Sequence, residues 1–488
     1  MAVKRGKYKK TVFVIKKKGC AVKGIKVQYK YKGTDSSEIF VLEENMNKLL
    51  AKLTAALMLF SLCSCSTAEE TDNPIGSNAV YDVLGMGKIP VGMWVTPPDG
   101  YRTEDAFRLI SESGINVVNG FGYSEDTDEE VKTVLDCCQK YGLKYLYSSL
   151  SIEESIKSYK ENPEAELISS AMEQIDKFAG HPAYAGQLFI DEPSVSYFDT
   201  LKEYITEYKK RHSDKLCYVN MLPYYALAGT GSSRYEDYVD TWIDKTSPAF
   251  YSYDSYPLID YDPTQEGYRA EMEDFYYNLD LLRAKTLENG IPLWTFVATL
   301  GYQHASEPNR REPTREELRW QVFSNLAFGA KGLQYFCYWT PSQDSYGEAM
   351  VTRGGKPTER YDYVKEVNAE FASYGDLLLN SDAVGVMIND YRRDGYDIYS
   401  TPLTKFGKIE SVEGNRYVIG CFSDKDTGKK SVLISPTTPR DDVEITLNMS
   451  GKTKSVIAYI GGEKTTLEVK DNKLTLKIDR GDAVFIQL

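Results

Sequence analysis

The chain has 488 residues, of which 42% are hydrophobic and 26% charged, as expected for a globular protein with one large and one smaller domain. Residues 1–45 carry a net charge of +8 and the whole chain carries −13, so the remainder carries −21. This acidic body excludes nucleic acid as an expected partner, because nucleic-acid binding requires clustered cations. The sequence has no Walker-type or GxGxxG loop, and His181, His212 and His304 lack the spacing of metal ligands, so no metal or other cofactor is expected.

The segment "MNKLLAKLTAALMLFSLCSC", residues 46–65, has a short basic start and an apolar core of about a dozen residues, which is typical of a secretory signal peptide. Its end, "LCSC", resembles a bacterial lipobox with Cys65 as the lipid acceptor. The resemblance implies a lipid anchor in the membrane and, because no Asp follows the cysteine, an outer-membrane location on the periplasmic or surface face. The polar residues 66–87 are predicted to form a tether. Residues 1–45 are interpreted as an upstream extension produced by a misplaced gene start, with Met46 as the true start, and a functional basic arm is the alternative.

Between residues 88 and 380, eight short apolar runs alternate with segments of helical periodicity. The runs are "IPVGMWVTP", "INVVNGFGY", "LKYLYSSL", "YAGQLFIDEP", "LCYVNMLPY", "PAFYSYDSYP", "IPLWTFVATLG" and "LQYFCYWTP". Near-continuous apolar strands are typical of a parallel sheet that is covered on both faces. Eight strand–helix units therefore predict an α/β fold of the (β/α)8 TIM-barrel type. A doubly wound open sheet is the alternative, although such sheets rarely reach eight even repeats without a nucleotide-binding loop.

The pattern changes after this region, and residues 383–488 consist of short alternating strands separated by turns, such as "RYVIGCFSD", "DVEITLNM" and "KLTLKID". This pattern of short strands and turns predicts a C-terminal antiparallel β-sandwich that packs beside the barrel. The region has few aromatic residues and no pair of acids after a strand, so the chemistry is expected in the barrel.

The active site of a TIM barrel lies at the C-terminal ends of its strands. The fourth run ends in the adjacent acids Asp191 and Glu192, and the sixth run ends at Asp254. The predicted substrate-binding residues at the strand ends are Trp94, Asn119, Asn220, Tyr253, Tyr256, Trp294 and Trp339. Carboxylates, amides and aromatic rings suit a carbohydrate substrate, because glycosidic bonds are cleaved by two carboxyl groups and aromatic faces bind sugar rings.

Glu192 resembles the acid/base glutamate at the end of the fourth strand in clan A glycosidases, the (β/α)8 enzymes related to β-galactosidases and cellulases. Those families have Asn before this glutamate and a nucleophilic Glu after the seventh strand, whereas here Asp191 precedes Glu192 and "WTFVATLGY" contains no glutamate. The adjacent Asp and Glu resemble instead the hexosaminidases of families 20 and 123, in which the Glu is general acid/base and the Asp orients the substrate's own acetamido group. Residues 88–488 as a whole resemble glycosidase-like lipoproteins of gut Bacteroidetes.

Other interpretations of the same residues stay open at this point. An acid before Pro193 is a common helix start, so Asp191 and Glu192 are alternatively a helix cap. Asp254 is alternatively a turn residue, and the tryptophans are alternatively core residues.

The sequence therefore predicts a lipid-anchored glycoside hydrolase, with a retaining mechanism favoured. Glu192 is predicted to be the general acid/base, with a pKa raised by neighbouring negative charge, and Asp191 or Asp254 the second carboxylate. A non-catalytic glycan-binding surface lipoprotein on the same scaffold is the alternative function, because a fold alone does not determine activity.

Overall fold

The computed structural model describes residues 80–121, 126–259, 270–271, 274–303, 309–389 and 398–488. The upstream extension, the signal peptide, Cys65 and most of the tether lie outside these ranges, so their predictions stay predictions. Within the described ranges, no helix combines the length and the apolar character needed to cross a membrane.

Parallel strands close into a barrel in the first part of the chain. The strands there are β1 (Val91–Met93), β2 (Val117–Asn119), β3 (Lys144–Tyr147), β4 (Tyr184–Asp191), β5 (Leu216–Met221), β6 (Tyr251–Tyr253), β7 (Leu258–Ile259), β8 (Ala270–Glu271), β9 (Leu293–Ala298) and β10 (Ala330–Phe336). Strands β7 and β8 pair with each other, and the other eight form the closed order β1-β10-β9-β6-β5-β4-β3-β2. Each predicted apolar run overlaps one barrel strand, which confirms the (β/α)8 prediction.

Helices cover the outside of the barrel. They are α1 (Glu104–Glu112), α2 (Asp128–Lys140), α3 (Leu150–Glu161), α4 (Ala165–Ala179), α5 (Phe198–Arg211), α6 (Leu227–Thr230), α7 (Tyr235–Thr246), α8 (Phe275–Asn289), α9 (Arg315–Ala327), α10 (Glu359–Ala372) and α11 (Gly375–Leu379). Capping boxes fix two of the starts: Thr127 and Glu130 exchange hydrogen bonds at α2, and Thr314 and Glu317 do so at α9. Each box satisfies backbone N–H groups that have no partner within the helix, so the sequence specifies where the chain turns from loop to helix.

The C-terminal region forms antiparallel sheets, as predicted. Its strands are β11 (Ser381–Ile388), β12 (Ile409–Glu413), β13 (Tyr417–Asp424), β14 (Lys430–Pro436), β15 (Val443–Met449), β16 (Ser455–Ile460), β17 (Glu463–Glu468), β18 (Lys473–Ile478) and β19 (Val484–Gln487). A six-stranded sheet has the order β11-β13-β14-β19-β16-β17, and a three-stranded sheet has the order β12-β15-β18. Alternate residues of β15, such as Ile445 and Leu447, are buried in a core shared with Ile419 and Val432 of the larger sheet.

The six-stranded sheet packs against the barrel through helix α9. Gly420 of β13 lies so close to this helix that a Cβ atom on it would be 2.0 Å from the carbonyl oxygen of Ala327. Nearby, the hydroxyl of Tyr276 and the indole Nε1 of Trp320 both donate to the carbonyl of Thr437, at 2.8 and 3.2 Å. Backbone contact and buried hydrogen bonds therefore hold the two parts in one arrangement.

We expect Gly420→Ala to destabilise the protein, because its methyl group would collide with helix backbone that cannot move aside. Overpacking costs about 1–3 kcal/mol, and the rigid neighbour places this variant at the upper end of that range. The matched control is Gly180→Ala, since a Cβ at Gly180 has no neighbour within 4 Å and its φ of −76° suits alanine. Thermal unfolding of both variants tests the prediction, which fails if their midpoints coincide.

Candidate active site

The C-terminal end of β4 carries the two adjacent acids. Asp191 is the last residue of the strand and is half-buried, and Glu192 is exposed. The backbone N–H of Glu192 donates to the carbonyl of Asn220 at 2.9 Å, so the pairing with β5 continues through this residue. Glu192 has a φ of +48°, in the left-handed region, where a residue with a side chain costs about 1–3 kcal/mol. Strain of this kind persists where the surrounding structure enforces it, and it is concentrated at functional sites.

The helix-cap interpretation of these acids is wrong. The 3-10 turn Val195–Tyr197 begins after Ser194, and α5 begins after Tyr197. Neither start has a side-chain capping hydrogen bond. Because Asp191 and Glu192 precede both starts, neither residue is at the N-cap position of the turn or of α5.

Asn220 of β5 links acids from the two neighbouring strands. Its Nδ2 donates to Oδ1 of Asp191 at 3.1 Å and to Oδ1 of Asp254 at 3.0 Å. Its own Oδ1 accepts from the hydroxyl of Ser252 at 2.9 Å, which fixes the orientation of the amide. Asp254 is 8% exposed and also hydrogen-bonds to Glu192. We call Asp191, Glu192 and Asp254 the carboxyl cluster.

The environment of the carboxyl cluster favours retention of protons. Burial raises the pKa of Asp191 to about 8, the negative charge of Asp254 adds to the shift, and the hydrogen bond from Asn220 opposes it. Burial likewise raises the pKa of Asp254 to about 6, opposed by hydrogen bonds with Asn220, Glu192 and Tyr256. At neutral pH Asp191 therefore keeps its proton, whereas Asp254 is largely ionised. In the described part of the chain, no three His, Cys, Asp or Glu residues are arranged to hold a metal ion.

Three of the predicted substrate-binding residues lie inside the barrel, below its mouth. Trp94 is 2% exposed, and its ring lies 4.7 Å from that of Phe121. Asn119 is fully buried, and its Nδ2 donates to Oε1 of Gln334 at 2.8 Å. Trp294 is also fully buried and lies 4.3 Å from the ring of Phe250. Their side chains point into the barrel, and Trp294, the second residue of β9, is far from the C-terminal end of its strand, whereas Trp94 and Asn119 lie at or next to the C-terminal ends of β1 and β2. A role of these three residues in sugar binding stays a prediction.

Tyr253 faces the helices outside the barrel, although the sequence placed it among the sugar-binding residues. Successive side chains of a strand point to opposite faces, and Ser252 and Asp254 face the barrel interior through their bonds to Asn220. Tyr253 therefore faces the surrounding helices, where it is 1% exposed and adjoins Tyr235 of α7. It supports the wall that carries Asp254 and does not reach the mouth.

Tyr256 and Trp339 lie at the mouth, together with aromatic residues that the sequence analysis did not select. The Tyr256 ring is 5.3 Å from that of Phe336, the last residue of β10. Trp339 is 5% exposed, because the ring of Tyr101 covers it at 4.8 Å. Phe336 was recognisable in principle, since it shares the inward register of Gln334, whereas Tyr101 lies in a loop without periodicity.

Residues 187–374 match the family model described as β-galactosidase of glycoside hydrolase family 42, and this region contains the whole carboxyl cluster. The fold is similar to that of β-galactosidase from Bacillus circulans sp. alkalophilus, with 10% identity, a TM-score of 0.54, and coverage of 82% of this chain and 99% of the other. A catalytic mutant of the family 42 β-galactosidase from G. stearothermophilus has 8% identity and a TM-score of 0.54, over 83% of this chain and 99% of the other.

A family 5 glycoside hydrolase from Bacteroides vulgatus has 10% identity and a TM-score of 0.51, over 86% of this chain and 95% of the other. The chain spans 62% of the length of the β-galactosidase from the psychrophilic Marinomonas ef1. No curated protein matches the sequence.

The barrel and its C-terminal sheets have the fold of TIM-barrel glycoside hydrolases. Within that fold, residues 187–374 are similar to the family 42 β-galactosidases.

Proposed function

We propose that the protein hydrolyses glycosidic bonds of an oligo- or polysaccharide at the barrel mouth, with Glu192 as general acid/base. The observation that carries this proposal is the carboxyl cluster, in which an exposed acid on strained backbone hydrogen-bonds to a buried acid with a raised pKa. In this mechanism Glu192 gives a proton to the departing glycosidic oxygen and then takes one from the attacking water.

Asp254 is the second carboxylate in this proposal. The segment after β9, where clan A enzymes have their nucleophile, reads Thr299-Leu300-Gly301-Tyr302-Gln303 and contains no acid. Asp254 is in hydrogen-bonding reach of Glu192, a separation nearer to the roughly 5–5.5 Å between the carboxyl groups of retaining enzymes than to the roughly 6.5–9.5 Å of inverting ones. This favours a retaining mechanism, in which the glycosidic oxygen replaces Asp254 as the hydrogen-bond partner of Glu192, and Asp254 attacks or stabilises the anomeric carbon.

Asp191 has a supporting role beside Glu192 and Asp254 in this proposal. Its side chain is half-buried and hydrogen-bonded to Asn220, and its raised pKa keeps it protonated at neutral pH. A neutral Asp191 leaves the negative charge on Asp254, where it opposes the positive charge that develops on the sugar. The hexosaminidase resemblance assigns Asp191 a different role, the orientation of an acetamido group, and substrates with and without this group distinguish the two.

A non-catalytic glycan-binding protein is the second candidate function, and the observation that favours it is that residues 299–303, directly after β9, contain no acid. The lipid anchor at Cys65 and an outer-membrane location complete the proposal and rest on the sequence alone.

The test is to incubate the purified full-length protein with β-galactosides, N-acetylhexosaminides and plant and host glycans, and to follow the anomeric configuration of the released sugar by NMR. We expect hydrolysis with retention, and β-galactosides are the first substrates to try because of the family match. The Glu192→Gln protein, prepared in parallel, controls for contaminating activity. Inversion would contradict the assignment of Asp254, and glycan binding without hydrolysis by either protein would favour the second candidate function.

A further inference from the structure

The strand order of the barrel places the acids and a set of aromatic residues on adjacent parts of its mouth. The carboxyl cluster and Asn220 come from the neighbouring strands β4, β5 and β6. The next strands around the barrel are β9, β10 and β1, and the ends of these strands carry aromatic residues instead. The aromatic arc consists of Tyr256 after β6, Tyr302 after β9, Phe336, Trp339 and Tyr346 at and after β10, and Tyr101 after β1.

The inner part of the aromatic arc adjoins Asp254. Tyr256 is 5% exposed, and its ring lies 5.3 Å from Phe336 and 6.1 Å from Tyr302. Tyr346 extends this group, with its ring 5.7 Å from that of Tyr302. Phe336, Tyr302 and Tyr346 are each half-buried, so this group of rings, which Tyr256 connects to Asp254, retains accessible surface.

The outer part of the aromatic arc is an exposed ring on a rigid support. Tyr101 is 41% exposed, and it packs on Trp339 with ring centroids 4.8 Å apart. Gly355 also packs closely against the Tyr101 ring, because a Cβ on this glycine would lie 3.1 Å from it. An aromatic side chain that is fixed in place yet exposed to water retains apolar surface that a ligand can cover.

The distance along the wall indicates more than one binding position. From β6 through β9 and β10 to β1 there are three interstrand steps of roughly 4.8 Å, or about 14 Å in total. A single sugar ring beside Asp254 does not reach Tyr101 across this distance. We propose that the aromatic arc is a series of sugar-binding subsites, so that the substrate is a chain of several sugar units and not a simple monosaccharide glycoside.

This inference rests on the proposed function and is tested by the dependence of kcat/KM on chain length. The wild-type full-length protein is assayed with oligosaccharides of two to six units of whichever sugar it cleaves, beside Tyr101→Ala and Tyr101→Phe. We expect kcat/KM to rise with length in the wild type. Tyr101→Ala should lower kcat/KM about tenfold more for the longest chain than for the shortest, the effect of one lost aromatic contact, and Tyr101→Phe should restore it.

The matched control is Tyr399→Ala, because Tyr399 is 40% exposed and packs against Tyr277 of α8, outside the aromatic arc. Its chain-length profile should equal that of the wild type. A wild-type profile without any rise, or an unchanged rise in Tyr101→Ala, overturns the subsite proposal and leaves the proposed function standing.

If the protein cleaves nothing, the proposed function fails separately, and calorimetric titration with the same oligosaccharides decides the subsites. Tighter binding of longer chains that disappears in Tyr101→Ala supports the aromatic arc as a glycan-binding path. Binding that is independent of length or of Tyr101, or no binding, overturns it.

Discussion

Glu192→Gln is expected to lower kcat/KM by roughly 10²–10⁴-fold, the usual contribution of a general acid/base. Glutamine preserves the shape of the side chain and a hydrogen bond to Asp254, but it cannot transfer a proton. The loss should be smaller for aryl glycosides whose leaving group departs without protonation, such as a dinitrophenolate. Steady-state kinetics with a natural glycoside and with the activated one measure both effects.

The control for this variant separates activity from stability. Glu192→Gly should lose the same activity without loss of stability, because removing Cβ from a residue with a φ of +48° relieves strain that offsets the added freedom of the unfolded chain. Thermal unfolding of wild type, Gln and Gly variants tests this. If the Gln variant keeps wild-type kcat/KM for the natural substrate, Glu192 is not the acid/base.

Asp254→Asn is expected to lower kcat by roughly 10²–10³-fold, because it removes the charge that stabilises the transition state. The exposed Asp244 of α7 provides the matched control, since Asp244→Asn makes the same chemical change away from the mouth. Single-turnover measurements on both variants separate the chemical step from product release. Equal rates in the two variants would exclude Asp254 from the chemistry.

The same variant should change the pH profile in a defined direction. In the wild type, activity requires Asp254 ionised, above a pKa of about 6, the proton donor Glu192 protonated, and Asp191 protonated, below a pKa of about 8. The amide that Asp254→Asn introduces carries no charge, so the acidic limb should disappear from the residual activity. The pKa of Asp191 should also fall, because the negative charge that helps to raise it is gone, and the basic limb should move to lower pH. A basic limb that stays in place would contradict the assignment of that limb to Asp191.

The barrel could be predicted almost completely from sequence because its strands are buried on both faces and read as apolar runs. The strand β12 was not predicted, since "IESVE" is mostly exposed and its polar residues resemble a loop. The antiparallel strands with one buried face, such as β15, could be predicted from the alternation of apolar and polar residues.

The candidate site was predictable only in part. Asp191, Glu192 and Asp254 were identified because acids that follow an apolar run are unusual, and because the end of an apolar run marks the end of a strand. The direction of each side chain was not readable, so Tyr253 and Tyr256 looked equivalent although one faces the helices and the other the mouth. The bridge through Asn220 was equally hidden, because it joins residues from three separate strands whose register is fixed only in the closed barrel.

The packing of the six-stranded sheet on the barrel also limits how this gene can be rearranged. Phe422, Leu433 and Phe485 of the C-terminal sheets belong to the same buried cluster as the barrel residues, and Phe485 stacks on Tyr374 at 4.8 Å. A break between α11 and β11 would expose buried apolar surface on both the barrel and the C-terminal sheets. We therefore do not expect recombination to transfer the barrel alone. Barrel and sheets are expected to be inherited as one piece, and new specificity is expected to arise by point changes in the loops around the mouth.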